Sequence, residues 1–105
     1  MPQFAVYRNR NEATRGRFPL LLDVQSDLLE PLSTRVVVPL SPLKSARERI
    51  IQQLAPVLTI DGERYVMLTP QLAGISTREL GRSIANLTAE RATIISALDL
   101  LITGI

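Results

Sequence analysis

The chain has no cysteine, no histidine and no tryptophan, and its aromatic side chains are limited to two tyrosines and two phenylalanines in 105 residues. Without cysteine there is no disulfide and no thiolate ligand, which fits a reducing compartment. Without histidine the commonest zinc ligand and the commonest general base are both missing. The few aromatics cannot form a platform on which unpaired bases stack. No apolar run approaches the roughly 18 residues of a membrane span, and no basic segment leads into an apolar stretch at the N-terminus as in a signal peptide. The glycine patterns that cradle phosphates, G-x-G-x-x-G and G-x-x-x-x-G-K-S/T, do not occur. A soluble, cytoplasmic protein is expected, with no thiolate or imidazole metal site, no cofactor and no membrane partner.

What is present fits one domain, residues 1–105, close to the size at which a second subunit helps to bury apolar surface. A homodimer is therefore expected. The net charge is only +2, but eleven of the twelve cations are arginine and they are unevenly spread. Arg8, Arg10, Arg15 and Arg17 face only Glu12 in the first 17 residues, whereas Asp23, Asp27 and Glu30 follow with no basic residue among them. Arginine suits bidentate contacts to phosphate or carboxylate, so nucleic acid and an acidic protein both fit; a merely solvated loop fits too.

The C-terminal stretch carries the clearest helix. Ile94, Ile95, Leu98, Leu101, Ile102 and Ile105 recur at the spacing that a 3.6-residue helix presents to a core. Thr88 is the expected N-cap, Glu90 sits in the first turn where the dipole favours an anion, and Gly104 stands where helices end. Ile105 then either completes the stripe against its own domain or offers an apolar side chain to another molecule.

Gln3 to Arg8 alternates and is rich in strand formers, Phe18 to Val24 is a nearly continuous apolar run that needs both faces covered, and Arg35 to Leu40 is a third strand broken at Pro39. Asn9 to Gly16 is the polar connection between the first two. Asp23 and Asp27, four apart, either join in cation binding or acid–base work or cap and solvate a turn. Leu28 and Leu29 are out of place in a turn, and either plug the core or form a contact patch. Ser45 with Glu48 fits a capping box, so a short helix is expected between Ser41 and Pro56. Val57 to Thr69 reads as a hairpin around Asp61-Gly62, the pair that favours a type I′ turn. Gln71 to Leu87 shows no usable period and reads as loop with at most a turn of helix. Five mostly sequential strands and one terminal helix define an α+β fold, a bent antiparallel or small barrel-like sheet covered by a C-terminal helix.

The segments Q-F-x-V-Y at Gln3 to Tyr7, L-D-V-Q-S-D-L-L at Leu22 to Leu29, R-V-V-V-P-L at Arg35 to Leu40, A-P-V-L-T-I-D-G-E-R-Y-V-M-L-T and a helix ending in Gly-Ile together resemble the CcdB family of toxins from bacterial toxin–antitoxin systems. The likeness spans essentially the whole chain. It implies a homodimer with a fold similar to the MazF and Kid ribonuclease toxins, and a protein that binds the A subunit of DNA gyrase and traps the enzyme on cleaved DNA without being an enzyme itself. It also implies a CcdA-like antitoxin, with operator DNA reached only indirectly through the antitoxin complex. Carried over residue by residue, the gyrase surface falls on Gly104 and Ile105, with Ile102, Thr103 and Asp99 beside them on the helix and Leu28 and Leu29 in the turn.

Two of these depart from the family pattern: Thr103 replaces a tryptophan that anchors gyrase, and Asp99 replaces an asparagine. Losing such an aromatic costs about 2 kcal/mol or more, roughly 30-fold in affinity. By charge alone, Arg8, Arg10, Arg15 and Arg17 are expected to meet an acidic or amphipathic antitoxin tail. A messenger-RNA endonuclease of the MazF and Kid kind, using an arginine with a carboxylate, and an antitoxin-binding protein that no longer poisons are the alternatives.

Overall fold

The computed structural model describes residues 2–45 and 52–104. Within them lie seven strands and one α-helix: β1 Ala5–Asn9, β2 Leu20–Asp23, β3 Thr34–Pro42, β4 Val57–Ile60, β5 Glu63–Met67, β6 Ala73–Ser76, β7 Leu80–Asn86 and α1 Arg91–Thr103. All pairings are antiparallel, in the order β4-β5-β3-β2-β1-β7 with β6 also on β3, which gives a curled half-barrel. Two more strands are present than the five expected. β6 is four residues long and mostly exposed, and β7 is irregular against β1, so neither carries the alternation that marks a strand in sequence.

The spine is β3, and Pro39 does not break it. The first half of β3 pairs with β6 through Val37 and the second half pairs with β5 from Leu40, so Pro39 lies at the changeover. In an extended strand the N and O of one residue point to the same side. The Pro39 carbonyl accepts from Leu68 N–H at 3.0 Å on that side, so the donor that proline lacks falls in the gap between the two partners.

β2 is buried at all four positions, three of them leucines of the nearly continuous apolar run and the fourth Asp23. Leu20 and Leu22 join the large cluster with Val6, Val38, Leu40 and Met67 under the helix, while Leu21 faces a smaller one with Ala5, Tyr7, Val37 and Leu80. The Asp61-Gly62 hairpin forms as expected, both residues having positive φ, 51° and 81°. The capping-box helix falls largely on residues 46–51, outside the described residues; just before them Leu43–Ser45 make a 3-10 turn.

α1 begins two residues later than expected because Thr88–Glu90 form a 3-10 turn; Thr88 is not its cap, the cap position being Glu90 with no side-chain cap bond, and Thr88 N–H donates to Asn86 Oδ1 at 2.9 Å. Gly104 ends the helix in the left-handed conformation (φ 77°), its N–H donating to the Leu100 carbonyl at 3.1 Å. The apolar stripe divides in two. Ile94 and Ala97 are wholly buried and Ile95 and Leu98 pack against the same cluster, but Leu101 and Ile102 are exposed. Truncating Ile94 to alanine is expected to destabilise the protein by about 2–5 kcal/mol in urea unfolding. Ile102→Ala should change it by no more than about 0.5 kcal/mol, and equal losses would contradict this division of the helix.

Candidate functional site: an apolar turn on a buried ion pair

The turn after β2 is built from polar residues folded inward. Asp23, the last residue of β2, and Arg35, near the start of β3, are both fully buried, with Arg35 Nη2 2.7 Å and Nε 2.8 Å from Asp23 Oδ2. By strand alternation they extend the face that holds Tyr7, Leu21 and Val37, opposite the helix. Asp23 Oδ1 accepts from Gln25 N–H at 3.0 Å, and Arg35 Nη2 donates to the Gln25 carbonyl at 3.3 Å. Burial pushes the Asp23 carboxyl above its ordinary range, against the lowering effect of the Arg35 and Gln25 hydrogen bonds. Burial also raises the Tyr7 hydroxyl, and the Asp23 charge adds to that.

Gln25 closes the turn. Its Oε1 accepts from Val36 N–H at 2.9 Å, and its Nε2 donates to the carbonyls of Leu29 (3.2 Å) and Thr34 (3.3 Å). From outside, Gln3 donates its N–H to Asp27 Oδ1 and its Nε2 to the Val24 carbonyl. Ser26 Oγ caps the 3-10 turn Asp27–Leu29 by accepting from Leu28 N–H. With polar groups drawn inwards, the apolar side chains are turned out: Leu28 is 90% exposed, Leu29 48% and Leu32 51%. Leu28 and Leu29 therefore do not plug the core. The carboxylates divide as well. Asp27 braces an exposed turn by accepting from Gln3 N–H, with Ser26 as the cap, but Asp23 is a buried ion-pair partner, a role that its sequence spacing did not indicate. Among the described residues no group of three or more acidic side chains could hold a metal ion.

The second exposed apolar segment is the end of α1, where Ile102 is 73% and Leu101 37% exposed. Asp99, Thr103 and Gly104 are exposed beside them, and Thr103 Oγ1 is turned back to donate to the Asp99 carbonyl at 2.7 Å. Ile105 lies outside the described residues. Neither this segment nor the leucine turn joins the core.

The expected arginine group is divided and enlarged. Arg8, Arg10 and Arg15 line one open groove of about 630 Å³, and Arg82 from β7 joins them there. Arg17 instead lies over the Phe18 ring, 4.9 Å from its centroid. Arg82 could not be read from sequence because β7 itself could not. Arg35 was hidden by its charge, since an arginine at a strand start is usually solvated.

The described residues thus form a curled antiparallel sheet closed by a C-terminal helix, with two exposed apolar segments and a basic groove. This fold is similar to that of a solved structure described as an endoribonuclease in complex with its cognate antitoxin from Mycobacterial species, at a TM-score of 0.75 and 19% identity, covering 97% of this chain and 94% of that one. The model of the CcdB protein family matches residues 3–104. The chain belongs to the CcdB family, toxins of toxin–antitoxin systems. No helix among its described residues is long and apolar enough to cross a membrane.

Replacing Asp23 by alanine leaves a buried guanidinium without its counter-charge and is expected to cost about 3–5 kcal/mol in chemical unfolding. The double variant Asp23→Leu/Arg35→Met should recover part of that loss; a double variant less stable than D23A would show that the pair is not the unit.

Proposed function

We propose that the chain poisons DNA gyrase, as the residues carried over from the CcdB family imply. The supporting observation is that, among the described residues, the exposed large apolar side chains fall in two short segments, the leucine turn and the end of α1; the resemblance implies that these positions meet the gyrase A subunit. An apolar surface that the fold leaves uncovered while hiding charges beneath it is suited to a protein partner. Leu28, Leu29, Ile102, Gly104 and Ile105 are the contacts. Asp99 and Thr103 flank them, and Thr103, shorter than the aromatic it replaces and folded back on its own helix, contributes less area than an anchor would. A homodimer brings two such surfaces together, and the half-covered helix supplies apolar area for the association. A CcdA-like antitoxin neutralises the toxin by folding a tail over the same apolar surface, with Arg17, which does not line the basic groove, available to its acidic residues.

One observation favours a second reading, messenger-RNA cleavage: Glu12 lines the four-arginine groove, which puts one carboxylate base among cations able to stabilise a phosphorane. A single experiment separates the two. Supercoiled plasmid, purified gyrase, ATP and the protein, followed by detergent and protease, should yield linear DNA, while bulk RNA stays intact. Leu28→Asp, and separately removal of Gly104 and Ile105, should raise the concentration needed by about 30-fold or more. Degraded RNA without linear DNA would establish the nuclease instead, and neither product would leave an antitoxin-binding protein that no longer poisons.

A further inference from the structure

The basic groove has a construction of its own, and the gyrase reading does not use it. Along the β1–β7 pair, Tyr7 faces Ser83 and Asn9 faces Leu80, so two steps on β1 oppose three on β7. The extra residue is a bulge at Gly81 and Arg82, and bulges at sheet edges re-aim the side chains they carry. A side chain at position 81 would begin 2.9 Å from the Arg8 carbonyl oxygen and 3.0 Å from Arg10 Cγ, so glycine is what lets the end of β1 lie this close. The result places Arg82 in the groove beside Arg8, Arg10 and Arg15.

The facing loop is held at both ends. Buried Asn9 donates to Thr14 Oγ1 and to the Phe18 carbonyl, both at 2.9 Å, and accepts from Asn11 N–H at 2.9 Å. Asn11 Nδ2 donates to Glu79 Oε1 at 2.8 Å and Arg10 N–H to the Glu79 carbonyl at 3.0 Å, which ties the loop to the segment that leads into β7. Four arginines thus project from backbone that is already ordered, and Glu12, the acidic residue lining the groove, offsets one of them.

We propose that this groove binds the phosphodiester backbone of double-stranded nucleic acid, giving the toxin direct duplex contacts of its own rather than access only through an antitoxin. Arginine forks match phosphate oxygens bidentately. An acidic peptide that folds on binding must bury apolar surface to offset its ordering, and among the described residues the one apolar side chain lining the groove is Leu80, itself just 6% exposed. A single strand needs stacking partners, and among the described residues no aromatic lines the groove. A duplex arrives ordered and presents its charge outside, so it asks of the protein only what the groove has. Contacts of this kind are to backbone and carry no sequence preference.

The test is fluorescence anisotropy of a labelled 20-base-pair DNA of arbitrary sequence with the full-length protein. Three uncancelled arginines predict a log–log salt slope of about −2.7, hence binding about 40-fold weaker at 200 mM than at 50 mM salt. Arg10→Glu/Arg82→Glu should weaken binding at least 30-fold, and the milder R82A several-fold, with circular dichroism unchanged. Arg64→Glu/Arg78→Glu, which makes the same change in net charge at exposed sites outside the groove, should leave it within threefold. Equal losses from the two pairs, no binding at 50 mM salt, or equally tight binding of a single strand of the same length would overturn the proposal. So would displacement of the duplex by stoichiometric amounts of a glutamate-rich peptide, which would assign the groove to an acidic protein segment.

Discussion

The ion pair between Asp23 and Arg35 is the constraint on which the exposed surface depends. Both groups are wholly shielded from water, and moving such charges out of solvent costs several kcal/mol each unless attraction and further hydrogen bonds offset it. Here the offsetting bonds run to Gln25, whose main chain contacts both members of the pair and whose side chain then holds Leu29, Thr34 and Val36. The polar groups of the turn are satisfied inwards, which leaves Leu28, Leu29 and Leu32 to face solvent. A hydrophobic pair of similar volume could stabilise the site equally well. It could not direct the turn, because apolar contacts carry no hydrogen-bond geometry.

The rest of the fold supports that turn from three sides. β2 and β3 bring the two charges into register, with Asp23 opposite Val37 and Arg35 two residues earlier. The N-terminal segment braces it through Gln3 and through Phe4, whose N–H donates to the Asp23 carbonyl at 2.6 Å from a left-handed backbone (φ 70°). Phe4 also accepts from Leu87 N–H at 2.8 Å and lies under Arg91, 5.7 Å from the ring centroid, so the same residue links the turn to the start of α1. The helix closes the large cluster with its first half only. A protein this small thereby keeps its second half, like the leucine turn, free for association with another chain.

Where one residue type settles the outcome, the structure was legible in sequence. Asp-Gly fixed the hairpin turn, Gly104 the helix end, and the nearly continuous apolar run of β2 its burial on both faces. Leu28 and Leu29 were legible as anomalies, and their exposure removes one of the two stated roles, that of plugging the core. Properties that depend on partners distant in the chain were hidden. Pro39 looked like a strand end because the exchange of β6 for β5 beside it cannot be seen from its neighbours. β6 and β7 lacked alternation because one is exposed and the other bulged. Arg35 and Asp23 are charged residues whose burial only their pairing explains, and Thr88 lost the capping role because a 3-10 turn precedes the helix and moves the cap position to Glu90. The arginines of the first loop were visible as a group, but the groove they form required Arg82 from the other end of the chain.

The central claim, that a buried ion pair orients the apolar turn as well as stabilising the fold, is tested most directly by hydrogen exchange on the Asp23→Asn variant under conditions where it remains folded. An amide preserves the shape of the side chain while removing the charge. The account predicts that the amides of Gln25, Leu28, Leu29 and Val36 lose protection by at least tenfold while those in β4, β5 and the first half of α1 stay protected. Protection lost uniformly across the chain, or not lost in the turn at all, would mean that the pair contributes stability alone and that something else sets the leucines outward.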